Sequence, residues 1–260
     1  MKITAITILI IISSTQILAQ SKYRDTERYS LGGKDKIINT FKSSGYVTKD
    51  WVKYNLKDGK ATVYRDGYPN LQHHADIYIE DTVKYNGKKY IVTEIEENAW
   101  YEAHRVLSFR LPKNITKIPY QAFRGCYAIE KISIPENVVE IDDWAFFETG
   151  IDSLVLPDNL ERIGCYSFSG CSSLKYISIP SNIKKIEKGA FENCIKLKII
   201  IIKATIPPSI EKNMFRGLLS YYNESPDLYK PKLLVPKESV DLYKQADGWS
   251  NFQIIQSIEL

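Results

Sequence analysis

The stretch Ile129-Glu130-Lys131-Ile132-Ser133-Ile134-Pro135-Glu136-Asn137 recurs along the chain with its apolar, proline and asparagine positions kept. Upstream stands Val106-Leu107-Ser108-Phe109-Arg110-Leu111-Pro112. Downstream come Ile151-Asp152-Ser153-Leu154-Val155-Leu156-Pro157 and Leu174-Lys175-Tyr176-Ile177-Ser178-Ile179-Pro180. A fifth copy, Leu197-Lys198-Ile199-Ile200-Ile201-Ile202, has Lys203 in the place of the proline. Successive prolines are 23, 22 and 23 residues apart, and Trp100, Phe123, Phe146, Phe168 and Phe191 keep the same step. A fixed period of this length is the signature of a repeat solenoid, in which each copy buries its apolar face only against its neighbours.

Each position of the repeat has a physical reading. The alternation of Ile132 and Ile134 describes a short strand with those two side chains inward, ended by a proline where no further ladder donor is needed. The expected strands are therefore parallel and gathered on one face. Asn114, Asn137, Asn159 and Asn182 follow the prolines by two residues. A turn there buries backbone groups, and a ladder of stacked amides can satisfy them. On the return side, Ile118, Ile141, Ile163 and Ile186 are the inward residues. Ala99, Ala122, Ala145, Ser167 and Ala190 precede the landmark aromatics, small enough to let the rings enter the stack.

The flanks read differently. Met1-Lys2 followed by an apolar run to Leu18 and Ala19-Gln20 has the pattern of a secretory leader, with an uncleaved anchor as the other reading. Residues 21–50 are polar and read as a spacer, with a short helix expected over residues 35–41. Two hairpins follow, turning at Asp58-Gly59 and Asn86-Gly87, and residues 51–93 are expected to close the open end of the stack. About five repeats occupy residues 94–203. Residues 204–260 hold an atypical last repeat, a tyrosine-rich insertion over residues 218–231, a helix over residues 239–246, a last strand over residues 254–258, and Trp249 and Phe252 against the terminal core.

A formal charge of +4 and the lack of an aromatic-basic motif argue against nucleic acid. Cys126, Cys171 and Cys194 share one phase of the repeat, which leaves buried thiols or a Cys171–Cys194 bridge as alternatives. Cys165 sits out of phase. His73-His74 with Asp76 offers two ligands on one strand face at most, so no metal site, cofactor or catalytic constellation is expected. What varies between copies is the outward face of the strands. Arg110, Val155, Tyr176, Ile199 and Ile201 form a gradient from charged to apolar, and an apolar patch on a surface marks a contact site. The insertion over residues 218–231 lies at the end where it could instead cover that patch.

The pattern Ile129-x-x-Ile132-x-Ile134-x-x-Asn137 resembles the leucine-rich repeat, and Gly189-Ala190-Phe191-Glu192-Asn193-Cys194 resembles its BspA-type class of bacterial surface proteins. Tyr85-Asn86-Gly87-Lys88-Lys89-Tyr90 resembles that family's entry hairpin, and Asp247-Gly248-Trp249 with Phe252 its closing segment. Trp100 in place of the first Phe and the third copy's missing cysteine depart from the pattern. The resemblance implies a right-handed leucine-rich repeat superhelix with an N-terminal hairpin cap and a C-terminal α/β cap. It also implies an exported, non-catalytic adhesion-type module that binds an extracellular or surface protein in preference to a glycan. A self-assembling surface protein and a glycan-binding accessory protein are the alternatives.

Overall fold

The structure, a computed structural model, describes residues 46–49, 52–64, 75–211, 214–218 and 230–258. The expected leader, the expected helix over residues 35–41, His73, His74 and most of the tyrosine-rich insertion lie outside the described residues.

The repeats form leucine-rich-repeat coils whose short strands pair in parallel. In the front row, β7 (Val106–Arg110) pairs with β9 (Lys131–Ser133), and β11 (Ser153–Val155) with β13 (Tyr176–Ile179), which pairs with β15 (Ile199–Ile202). The register keeps phase, with Leu154 opposite Ile177 and Ile177 opposite Ile200, so every copy's inward residues meet in one core. The expectation of strands on one face only needs correction. The return side carries a second continuous sheet of two-residue strands: β8 (Lys117–Ile118), β10 (Glu140–Ile141), β12 (Arg162–Ile163) and β14 (Lys185–Ile186). Strands this short show no alternation in sequence, and they form because the fixed period holds each copy level with the next.

At the turn edge, the landmark rings stack face to face. Trp100, Phe123, Phe146, Phe168, Phe191 and Phe215 form one buried column, with neighbours 5.2–5.8 Å apart and tilted by 5–14°. The backbone amides of the first five form a third ladder, each donating to a carbonyl of the next copy, as Phe146 does to Ser167 at 2.7 Å and Phe191 to Met214 at 3.2 Å. The chain kinks sharply before each of the first five rings and after all six. Asn98, Gln121, Trp144, Tyr166 and Gly189, two residues before it, all have positive φ, as do Glu102, Gly125, Glu148, Gly170, Asn193 and Gly217 two residues after it.

The polar rungs complete the stack. Asn137, Asn159 and Asn182 donate through Nδ2 to the carbonyls of Lys113, Glu136 and Asp158 at 2.8–2.9 Å, each reaching one copy back. The Asn114 amide meets the Asp81 carbonyl only at 3.5 Å. Cys126, Cys171 and Cys194 are free, buried thiols that donate to the carbonyls of Trp100, Phe146 and Phe168 at 3.1 Å. Burial pushes Cys126 up to about 12 and Cys171 up to about 11, which keeps both as protonated donors. Thr149 replaces the third cysteine and donates to the carbonyl of Phe146 at 3.0 Å.

That third copy is one residue short between Phe146 and Ile151. The front row breaks there: β9 and β11 belong to different sheets, whereas the return-side sheet runs through unbroken. Gly150 sits so close to the preceding coil that a Cβ would lie 2.1 Å from the carbonyl of Tyr127.

The ends extend the front row. β4 (Ala75–Tyr78) pairs in parallel with β7, a strand absent from the sequence reading because it precedes the first full repeat. An N-terminal sheet orders β1 (Tyr46–Lys49), β2 (Val52–Lys57), β3 (Lys60–Tyr64), β6 (Lys88–Ile95) and β5 (Thr82–Tyr85). Both hairpins turn as expected, with positive φ at Asp58, Gly59, Asn86 and Gly87. Strand β1 begins at Tyr46, inside the stretch read as spacer. At the other end β16 (Lys232–Pro236) and β17 (Ile254–Ile258) continue the row, linked by helix α1 (Val240–Gln245). Trp249 and Phe252 meet Phe215 edge-on and terminate the column. Trp249 also donates to the carbonyl of Pro208 at 2.8 Å, and Tyr243 to that of Ala204 at 2.9 Å.

Phe146 occupies the middle of the column and borders the short copy. Phe146→Ala should destabilise the protein by about 3–5 kcal/mol in urea unfolding; a loss under about 1 kcal/mol, the scale of an ordinary surface change, would contradict the packing described.

Candidate binding surface

The strand register fixes what the front face presents. One outward row runs Arg110, Ser133, then Val155, Ser178, Ile201 and Leu234; the other runs Ser108, Lys131, then Ser153, Tyr176, Ile199 and Lys232. The predicted contact residues fare unequally. Arg110 donates to the carbonyl of Ile79 at 2.6 Å and to Asp81 at 2.7 Å, and its guanidinium lies 4.8 Å from the centre of the Tyr78 ring. Burial alone would lower its pKa, but the Asp81 partner raises it. Arg110 therefore fastens β4 and the following turn to the first repeat and is not a free contact group.

Ile201 needs a second correction. It is 4% exposed and packs with Leu234 and Ile258 in a small second core, against which Tyr176 and Ile199 lie half-buried. Burial pushes the Tyr176 phenol up to about 12, with Ser178 as its hydrogen-bond partner. The apolar gradient in the sequence thus ends in a packed cluster. Val155 stays half-exposed, and Lys131 and Ser133 beside it are exposed. These three keep the middle of the front face accessible.

Two features of the other surfaces escaped the sequence reading. On the turn edge, Arg124 lies 5.1–5.3 Å from the ring centres of Tyr101, Trp144 and Phe147, and Trp144 stacks on Tyr166 at 4.7 Å. Trp144 and Tyr166 stand where the motif quoted above has Gly189, and that substitution was the available signal. On the return side, Lys117, Glu140, Arg162 and Lys185 occupy equivalent positions in successive copies. Arg162 bonds Glu187 at 2.8 Å, Glu140 at 2.7 Å, Asp142 at 3.2 Å and Asp143 at 2.9 Å, while Lys117 holds Asp142 at 2.7 Å. Burial would raise the pKa of Asp142 and Glu187; Lys117 and Arg162 for the first, and Arg162 and Lys185 for the second, override it and lower both. The charges on this side are therefore a bonded network that crosses the copies.

Among the described residues no three His, Cys, Asp or Glu side chains are grouped to hold a metal ion. His104 stands 2.9 Å from the carbonyl of Gly125 and stacks on Tyr127. No described helix is long and apolar enough to cross a membrane.

Residues 93–221 match the BspA-type leucine-rich repeat region, in six copies. The repeat region of this chain belongs to that family. Among solved structures, the BspA-type coils resemble those of a leucine-rich repeat protein from T. pallidum, TpLRR, at 26% identity and a TM-score of 0.50, covering 58% of this chain and 68% of that one. The pneumococcal vaccine antigen PcpA shares the fold at 20% identity and a TM-score of 0.55, over 75% of this chain and 51% of that chain. No curated protein sequence matches at a comparable level of significance.

The ion network supplies a pH test. Carboxylates with lowered pKa stabilise the fold fully above their ordinary values of 3.8 for Asp142 and 4.5 for Glu187, and lose that contribution as pH falls through the lowered folded values. Arg162→Met should cost about 1–3 kcal/mol at neutral pH and move acid unfolding to higher pH. An acid transition at an unchanged pH would mean that the network contributes nothing.

Proposed function

We propose that this chain is an exported, non-catalytic module that binds a protein at the cell surface through the middle of its front face. Residues 1–20 act as the leader, the coils wind as a right-handed solenoid, and the sheet over residues 46–95 and the segment over residues 230–258 cap its two ends. The observation that supports this reading is the contrast between the two sides of each strand. Inward positions repeat the same buried apolar residues, while outward positions change from copy to copy, as Lys131, Ser153 and Tyr176 do at one phase. A surface that varies on a constant frame is where recognition of a partner can be written. Lys131, Ser133 and Val155 form its accessible centre. Self-association is the second reading, and the position of β17 at the edge of its sheet, paired with β16 on one side, favours it.

Immobilised chain lacking residues 1–20 should capture at least one member of a panel of purified extracellular-matrix and surface proteins. The double variant Lys131→Glu, Val155→Glu should weaken that capture by tenfold or more, on the scale of about 1.4 kcal/mol, with melting temperature unchanged. Equal capture by the variant would remove the front face from the account. A concentration-dependent dimer in size exclusion, with no partner from the panel, would favour assembly.

A further inference from the structure

We propose that the notch left by the missing residue of the third copy is a saccharide site that seats one pyranose ring. The fourth residue after each landmark aromatic forms a row along the coils: His104, Tyr127, Gly150, Ser172. The rings of His104 and Tyr127 stack at 4.9 Å, only 8° from parallel. The next rung is Gly150, which has no side chain and, with the carbonyl of Tyr127 2.1 Å from its would-be Cβ, no room for one. One face of the Tyr127 ring is therefore covered by His104, and the place where the next ring of the row would stand is vacant.

The vacancy is a real depression. It measures about 410 Å³, is lined by Tyr127, Glu148, Thr149, Gly150 and Ser172 among others, and leaves Tyr127 55% exposed. It is open to solvent, so it would seat one face of a ligand and would not enclose it. The Glu148 carboxylate stands 3.5 Å from the Tyr127 hydroxyl at its rim.

The lining selects the ligand class. An aromatic face takes the C–H face of a sugar ring, while a carboxylate and serine hydroxyls accept from and donate to the hydroxyls around its edge. Among the described residues no lysine or arginine lines the notch, so a phosphate or carboxylate ligand would meet Glu148 without a counter-charge. An apolar side chain from a protein partner would cover the serine hydroxyls and leave Glu148 no partner beyond the Tyr127 hydroxyl. A neutral pyranose satisfies both surfaces. The notch is a separate site from Lys131 and Val155 on the strands, so this inference and the proposed protein-binding face can fail independently.

The test is a titration of the isotope-labelled chain, followed through its backbone amides by NMR, with the methyl glycosides of glucose, galactose, mannose and N-acetylglucosamine. At least one should shift the amides of Tyr127, Gly150 and Ser172 saturably. Tyr127→Ala should weaken that binding roughly tenfold. Ser172→Trp, which fills the notch from an exposed position, should abolish it with the melting temperature unchanged, and Val139→Ser, far from the row, should leave it intact. The proposal is overturned if no glycoside shifts these amides up to its solubility limit. It is equally overturned if N-acetyltryptophanamide shifts them and the glycosides do not, since the notch would then be a seat for a protein side chain.

Discussion

The ring column is the constraint on which the other contacts depend. Six aromatic side chains stack nearly parallel, each within 5.8 Å of its neighbour, so each copy must bring its ring to the same height and angle. To do that the backbone enters the first five rings, and leaves all six, through residues with positive φ. For Trp144 and Tyr166 that conformation costs about 1–2 kcal/mol each, because L side chains crowd the adjacent carbonyl. Burial of the column offsets the strain, and the kinked backbone aims its amides at the next copy. Ring stacking, left-handed residues and the turn-edge ladder are thus one device. The asparagine and thiol rungs hold the coil edges that the rings leave open.

The third copy shows how far that device reaches. Losing one residue beside Gly150 interrupts the ladder between β9 and β11, where the Asp152 amide still donates to the carbonyl of Glu130 at 3.1 Å; in a protein held by its front sheet alone this would weaken the stack. Here Phe123, Phe146 and Phe168 stack across the break at an unchanged spacing, and β10 still pairs with β12 behind it. Thr149 keeps a donor where the cysteine is lost, and it meets Cys171 at 3.2 Å to join the thiol row. A one-residue fault can therefore alter the surface while the core stays in phase.

Burial made much of this legible in the sequence. The inward isoleucines, the landmark rings, the Asp58-Gly59 and Asn86-Gly87 turns and the packing of Trp249 against the core could be read because each is dictated by a local pattern or by the period. The return-side strands could not, being two residues long. Strand β4 stood outside the period, and β1 lay in a stretch whose composition is polar. The surface was harder still. Arg110 and Ile201 looked outward by register, and they do lie on the outward face, but Asp81 ties down the one and Leu234 with Ile258 buries the other. Such partners lie 29 to 57 residues away in sequence, and periodicity carries no information about them. The Arg162 network was within reach, since laying the copies side by side puts Lys117, Glu140, Arg162 and Lys185 in one row.

Native-state hydrogen exchange at the ring amides tests the central claim directly, because it measures whether the column spans the broken front sheet. The amides of Phe123, Phe146, Phe168 and Phe191 should exchange with one common free energy, equal to that of global unfolding. Exchange of Phe123 and Phe146 at a distinctly lower free energy than Phe168 and Phe191 would show two units divided at Gly150, and would contradict a single column holding the stack together.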